Sequence, residues 1–272
     1  VLSEPVLELH SIAGGDINQA FEARLTSGRR VFVKTHAQAP AGAYASEARG
    51  LGWLAEPGSL RVPAVLGVSE RVLVLTFIER GARGSRFDEA FGRGLAQLHK
   101  AGAEHFGFAE PGFLANLAQD NTPCDSWPHF YAERRLLPFA QRALNAGALG
   151  SGLLRRIEAL CARVPGLCSA SEPPSRLHGD LWSGNVMADA EGAPVIFDPA
   201  AYAGEREVDL AMLQLFGSPG ARFFSAYAEV YPPKAGASER VALYQLLPLL
   251  VHVILFGASY LGQLEHALGR YE

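Results

Sequence analysis

Cysteine is scarce in this 272-residue sequence: Cys124, Cys161 and Cys168 are the only three, and no two form a CxxC pair. An odd, scattered set makes no disulfide framework, so buried thiols in a reducing compartment are expected. Dense Lys/Arg runs are also missing and the formal net charge is -4. Nucleic acid and anionic membranes are therefore not expected as partners, and a small neutral or cationic molecule fits better. The first residues lack a basic segment followed by a long apolar one, so a cytoplasmic location is expected. The most apolar run, Leu246 to Ala258, is interrupted by Pro248 and His252. It falls short of the ~20 residues that cross a bilayer and reads as a buried core helix. Apolar residues are plentiful at 49% of the chain, enough for a real core in one large domain or two small ones.

One stretch stands out chemically. Leu177-His178-Gly179-Asp180-Leu181-Trp182-Ser183-Gly184-Asn185-Val186-Met187 sets an Asp five residues before an Asn, and a second Asp follows in Val195-Ile196-Phe197-Asp198. Phosphoryl transfer from ATP needs such a set. One carboxylate accepts the proton of an attacking hydroxyl, while an amide oxygen and another carboxylate hold a metal ion on the phosphates. Asp180 is thus the candidate catalytic base, and Asn185 and Asp198 the candidate Mg²⁺ ligands, because Mg²⁺ takes hard oxygen donors. His178 is expected to anchor the loop by packing and hydrogen bonding, since a carboxylate two residues away makes a second base unnecessary. Asp209, in Gly204-Glu205-Arg206-Glu207-Val208-Asp209-Leu210-Ala211, is expected either to brace that loop by accepting backbone N–H bonds or to be a plain helix N-terminal charge.

The upstream half supplies a nucleotide cradle in the matching order. Val6 to Val33 reads as two or three antiparallel strands with Gly-rich breaks, and the first break, containing Gly14 and Gly15, is a candidate phosphate-covering loop as well as an ordinary hairpin turn. In Val31-Phe32-Val33-Lys34 the period of two puts Phe32 and Lys34 on one face. A helix from about Ala41 to Ala55 brings Glu47, the natural counter-ion for Lys34. The strand Val72 to Ile78 ends at Glu79-Arg80-Gly81. A lobe boundary is expected there, giving lobes 1–79 and 80–272 with Thr76, Phe77 and Ile78 as a hinge offering backbone groups to adenine. Phe87 to His99 has helical spacing. A second helix, N-capped by Asp125 or Ser126, should run through Tyr131 to Leu136 and be broken or kinked at Pro138. Trp127 and Tyr131 at its start are candidates for lining a substrate cleft, although aromatic residues at such a place are commonly core.

The run LHGDLWSGNVM, with PVIFDPAAYAGEREVDLAM after it and WPHFYAERRLLP before it, closely resembles the fructosamine/ketosamine-3-kinase family, a branch of the aminoglycoside-phosphotransferase-like kinases. The resemblance covers nearly the whole chain. It implies an α+β, two-lobed, protein-kinase-like fold, with a small antiparallel β-rich lobe holding one main helix and a larger, mostly helical lobe. The activity it implies is ATP-dependent, Mg²⁺-assisted phosphorylation of the sugar O3 of ketosamines, free or on glycated proteins, in deglycation. Carried over by motif, Lys34 and Glu47 are the phosphate-binding pair, Asp180 the base, Asn185 and Asp198 the metal ligands, and Trp182 the family's loop Trp beside the substrate. The sequence departs from some relatives in having no Cys in the Gly14-Gly15-Asp16-Ile17-Asn18 loop, so no redox switch is implied there. It departs from protein kinases in Phe32, where a small residue usually packs on adenine, so a narrower adenine slot is expected, and in Asp198-Pro199-Ala200 in place of Asp-Phe-Gly, so no flip of a Phe at that motif is implied.

The residues also bear on the acceptor. After Asp209 there is no Asp, and Glu229, Glu239, Glu265 and Glu272 are the only glutamates, whereas Tyr227, Tyr231, Tyr244 and Tyr260 recur. Sugar C–H faces pack on aromatic rings, so a sugar with at most one amine suits this chain better than a polycationic aminoglycoside. A kinase of the same fold for an aminoglycoside, choline or a methylthio sugar stays open at this point, as does a non-catalytic nucleotide-binding regulator.

Overall fold

A computed structural model describes residues 1–12, 18–168 and 172–272. The expected phosphate-covering loop with Gly14 and Gly15 lies outside the described residues.

Five strands alternate along the first part of the chain: β1 (Val6–Ile12), β2 (Gln19–Leu25), β3 (Arg30–Thr35), β4 (Val65–Val68) and β5 (Val72–Thr76). They form one antiparallel sheet in the order β1-β2-β3-β5-β4. Helix α1 (Ala43–Ala55) comes between β3 and β4. The period of two sorts the side chains as expected. Val31 packs with Ala23, Leu25 and Val74, while Phe32 packs with Tyr44, Leu51, Leu73 and Leu75.

The chain leaves β5 through a link stitched to a hairpin of the second lobe, β9 (Val186–Ala188) and β10 (Pro194–Ile196). Gly81 N–H donates to the Ala188 carbonyl, and a Cβ at position 81 would stand 2.2 Å from the Asp189 carbonyl oxygen, so only glycine allows this approach. Arg61 adds an ion pair to Asp189 at 2.6 Å.

The second lobe is mostly helical. It contains α2 (Phe87–Ala101), a small hairpin β6 (Gly112–Leu114) and β7 (Leu117–Gln119), α3 (Trp127–Tyr131), α4 (Leu137–Asn145), α5 (Ser151–Cys161) and α6 (Val164–Leu167). After β8 (Ser175–Leu177) and the β9–β10 hairpin come β11 (Tyr202–Gly204), α7 (Glu207–Leu215), α8 (Ala221–Val230), α9 (Ala237–Phe256) and α10 (Leu261–Gly269). Strand β8 pairs with β11 and so aims the loop that follows it.

Two expectations about helices need correction. The break foreseen at Pro138 is instead a π turn, Ala132–Leu136, joining α3 to α4. Proline's missing N–H and its clash with the carbonyl four residues back are absorbed by this wider turn, leaving Pro138 in the first turn of α4. The apolar run near Leu246 belongs to a 20-residue helix, α9, longer than its sequence suggested. By length and composition alone α9 could cross a bilayer. Its Leu243, Leu246, Leu249, Leu250 and Val253 are nevertheless buried against α3, α4 and α7 in the main core of the lobe.

Candidate active site

The loop after β8 is held from behind. Asp209, on α7 and fully buried, accepts the His178 N–H at 2.8 Å through Oδ2 and the Gly179 N–H at 2.9 Å through Oδ1. The bracing role is therefore the one observed. His99 of α2 adds its Nε2 at 3.2 Å to Oδ2, and its Nδ1 lies 2.7 Å from the Tyr227 hydroxyl, so each ring nitrogen has one partner. Gly179 adopts φ +80°, and a Cβ there would meet the Ala200 carbonyl oxygen at 2.2 Å. The glycine of the His-Gly-Asp motif is thus required by backbone packing. His178 is buried, which lowers its pKa, with Nε2 2.9 Å from the Phe197 carbonyl and Nδ1 3.3 Å from the Asp180 N–H. It serves as a neutral anchor.

Asp180 follows, with its carboxylate oxygen Oδ2 accepting from Asn185 Nδ2 at 3.1 Å. Asn185 Nδ2 also reaches the Asp180 carbonyl at 2.9 Å and the Asp198 carbonyl at 3.4 Å. Burial raises the Asp180 carboxyl to about 7, against the lowering effect of the Asn185 hydrogen bond. A carboxylate that titrates near neutrality is well placed to accept a proton from a hydroxyl and pass it on.

Asp198 closes the set from the other side. It has φ +56°, an unusual backbone for an aspartate, and its Oδ1 lies 3.1 Å from Lys34 Nζ. Lys34 Nζ also contacts both carboxylate oxygens of Glu47, at 3.0 and 2.9 Å. Burial alone would lower the Lys34 pKa, but the carboxylates of Glu47 and Asp198 outweigh it and hold the ammonium above its ordinary value. Burial pushes the Glu47 carboxyl upward while Lys34 pulls it back. The five polar residues singled out by sequence, Lys34, Glu47, Asp180, Asn185 and Asp198, thus form one continuous chain of contacts between the lobes.

Among the described residues no three His, Cys, Asp or Glu side chains cluster as a metal site. Asn185 and Asp198 still suit Mg²⁺. The Asn185 amide nitrogen is engaged with Asp180, which leaves its oxygen as the free donor, and the Asp198 carboxylate is partly exposed. Mg²⁺ is commonly held by one or two protein oxygens together with phosphates and water.

Thr76, Phe77 and Ile78 sit where β5 passes into the link. Thr76 Oγ1 accepts from the Ala64 N–H at 2.9 Å, and the Arg30 guanidinium lies 4.1 Å from the Phe77 ring centre. Thr76 pairs with Val31, three residues from Lys34 along β3, about 10 Å at the usual strand rise. Phe32 packs toward α1 on the Lys34 face.

Trp182 is 39% exposed, and its ring lies so close to Gly184 that a Cβ there would stand 2.3 Å from it. Trp127 and Tyr131 do not join it. Trp127 is 3% exposed, stacks on Phe130 and Tyr131, and donates Nε1–H to the Tyr244 hydroxyl at 3.1 Å. Tyr131 is fully buried and donates to the Leu243 carbonyl at 2.7 Å. Both are core residues packing α3 onto α9, and their expected place in a substrate cleft is corrected. Tyr227 and Tyr244 are likewise buried.

Sequence reading missed two residues of the site. His99 braces Asp209 from another helix. Tyr44, three residues before Glu47 on the same face of α1, donates its hydroxyl to Asn18 Oδ1 at 2.9 Å and tethers α1 to the start of β2. That spacing was the available signal.

Residues 3–271 match the family model for fructosamine kinase. The chain belongs to the fructosamine kinase family. A protein of Thermus thermophilus named as a probable ketoamine kinase is 40% identical over 265 residues, 97% of this chain and 93% of that protein. The chloroplastic protein-ribulosamine 3-kinase of Arabidopsis thaliana is 35% identical over 269 residues, 94% of this chain and 79% of that protein. Among solved structures, a protein of Thermobifida fusca assigned as a fructosamine-3-kinase superposes with a TM-score of 0.92 at 40% identity, covering 98% of this chain and 94% of that one. The architecture is the two-lobed, protein-kinase-like α+β arrangement, and the family makes the chain a kinase that uses ATP.

Proposed function

We propose that this kinase transfers the γ-phosphoryl group of ATP to the O3 hydroxyl of a ketosamine, the adduct of a sugar on an amine. The observation that carries the reading is the contact chain from Glu47 through Lys34 to Asp198, with Asn185 linking Asp198 to Asp180. Lys34, kept cationic by Glu47, would neutralise phosphate oxygens. Asp180 would take the proton of the acceptor hydroxyl while its oxygen bonds to the γ-phosphorus and the bond to ADP breaks. Mg²⁺, held by Asn185 and Asp198, would offset charge on the phosphates when bound. The remaining work is positioning and charge neutralisation. The family match and the two curated relatives, named for ketoamine and ribulosamine substrates, support the acceptor class.

ADP release measured with ribulose-lysine, fructose-lysine, an aminoglycoside, choline and a methylthio sugar tests the acceptor, with phosphorus NMR locating the phosphate. Turnover is expected with the ketosamines and at O3. Asp180→Asn should lower kcat by about 10²–10⁴, the usual contribution of a positioned base, with nucleotide binding kept. Phosphorylation confined to another alcohol, or full turnover by the Asn variant, would count against the proposal.

A further inference from the structure

Next to the loop that carries Asp180, the large lobe gathers four more rings. Ser183 Oγ donates to the Phe216 carbonyl at 2.8 Å, fixing the end of α7 against the residue that follows Trp182. The Phe216 ring centre lies 4.5 Å from that of His252, which lies 4.8 Å from Tyr260 and 5.3 Å from Phe256. Phe256 is 48% exposed, and the other three rings are half-buried. His252 Nδ1 lies 2.7 Å from the Pro248 carbonyl, which makes it the donor and leaves Nε2 as an acceptor. Burial lowers the His252 pKa, in keeping with a neutral ring. Neither residues 210–220 nor residues 241–264 contain an Asp or Glu. The two segments therefore offer aromatic faces and a lone pair, and no carboxylate.

We propose that Phe216, His252, Phe256 and Tyr260 form a subsite for the amine-bearing arm of the acceptor, holding an alkylammonium stem that runs past Trp182 from a sugar seated at Asp180. This rests on the ketosamine reading above. A ketosamine has two unlike ends. The hydroxylated end needs hydrogen bonds near the base, whereas the other is a secondary amine, cationic at neutral pH, carrying an apolar stem. Methylenes of that stem gain by leaving water for ring faces, and the ammonium is attracted to the negative faces of the same rings. Rings suit an arm whose far end differs from one glycated amine to the next, because they recognise the stem without fixing a partner for its tip. The continuity from Trp182 through Ser183 to Phe216 ties the ring group to the catalytic loop, which an unrelated apolar patch would not need.

The test uses adducts of one ketose with methylamine and with hexylamine, assayed on the wild type, Phe256→Ala and Phe256→Tyr. The wild type should favour the hexylamine adduct by about tenfold in kcat/KM, carried by KM, roughly what burying two methylenes yields. Phe256→Ala should bring that ratio to about one or two, and Phe256→Tyr should keep most of it, since an aromatic face is retained. Circular dichroism and the thermal midpoint check folding, and the exposed position of Phe256 at a helix end makes unfolding unexpected. A wild-type ratio near one, or an unchanged ratio in Phe256→Ala, overturns the subsite while leaving the kinase assignment intact. Failure of the wild type on both adducts, with turnover of another alcohol, instead overturns the ketosamine reading and takes this subsite with it.

Discussion

Replacing Asp209 by Asn changes one atom, yet it should be among the most damaging substitutions in the chain. Both carboxylate oxygens act as acceptors: Oδ1 takes the Gly179 N–H, while Oδ2 takes the His178 N–H and lies within reach of His99 Nε2. An Asn keeps one acceptor and turns an NH₂ group toward a buried N–H, so one donor loses its partner and meets another donor. Hydrogen bonds to a charged acceptor contribute about 1.5–3 kcal/mol, and stranding a buried donor costs about 1–3 kcal/mol more, so a loss of about 3–5 kcal/mol is expected. For a chain of this size that is a fall of about 10 °C in Tm. Asp180 is the next residue after Gly179, so misplacing the loop should also lower kcat about 10²-fold at temperatures where the variant is folded. Thermal melts and steady-state kinetics of Asp209→Asn beside wild type give both numbers. A variant that melts with the wild type and keeps its kcat would show that the two N–H bonds do not set the loop.

Tyr44→Phe removes the hydroxyl that ties α1 to Asn18 while keeping the ring in its apolar cluster. It should raise KM for ATP about three- to tenfold, the equivalent of one modest hydrogen bond, with kcat changed less. Equal nucleotide affinity by calorimetry would refute the tether. Glu205 is buried with Oε1 unpartnered and Oε2 accepting from Tyr244, and burial raises its carboxyl from 4.5 to about 7. The folded protein then binds this proton more tightly than the unfolded chain does, so its stabilising contribution is full below pH 4.5 and is lost as pH rises to 7. Glu205→Gln should consequently be more stable than wild type by about 3 kcal/mol at pH 8, with the difference shrinking toward pH 4.5. Urea melts at the two pH values check this, and a gap independent of pH would contradict it.

The catalytic loop was legible because its chemistry is local. Asp180 and Asn185 belong to one short turn, and their contact is set by five residues of backbone. Lys34 was legible for another reason. Strand alternation placed it opposite Val33, and the only remaining requirement was a carboxylate on the neighbouring helix, which Glu47 supplied. The role of His99 was not legible: its spacing four residues after Leu95 puts it on the apolar face of α2, but nothing in the sequence says that this face meets Asp209, 110 residues away. The π turn was hidden too. Pro138 forbids regular hydrogen bonding, but whether the chain breaks or widens there depends on what the helix packs against, here Tyr131 and Leu136 on the core side.

The aromatic residues show most clearly where the sequence stops informing. Tyr244, Pro248, His252, Phe256 and Tyr260 recur at every fourth position. A helix with 3.6 residues per turn carries such a row about 40° around its axis at each step, so the row cannot stay on one face. Tyr244 is fully buried against Trp127 and Tyr131, Pro248 is buried, His252 is half-buried, and Phe256 emerges at 48% exposure. The helix ends at Gly257, with φ +78°, when the row has turned outward, and the chain folds back through Tyr260 to close the ring group. Aromatic residues on one helix thus divide into core and surface by phase alone. That phase is invisible in a segment apolar on all sides, where no polar stripe marks which side faces water. The same ambiguity led to Trp127 being read as a cleft residue, although its ring faces Tyr244 at the buried end of this row.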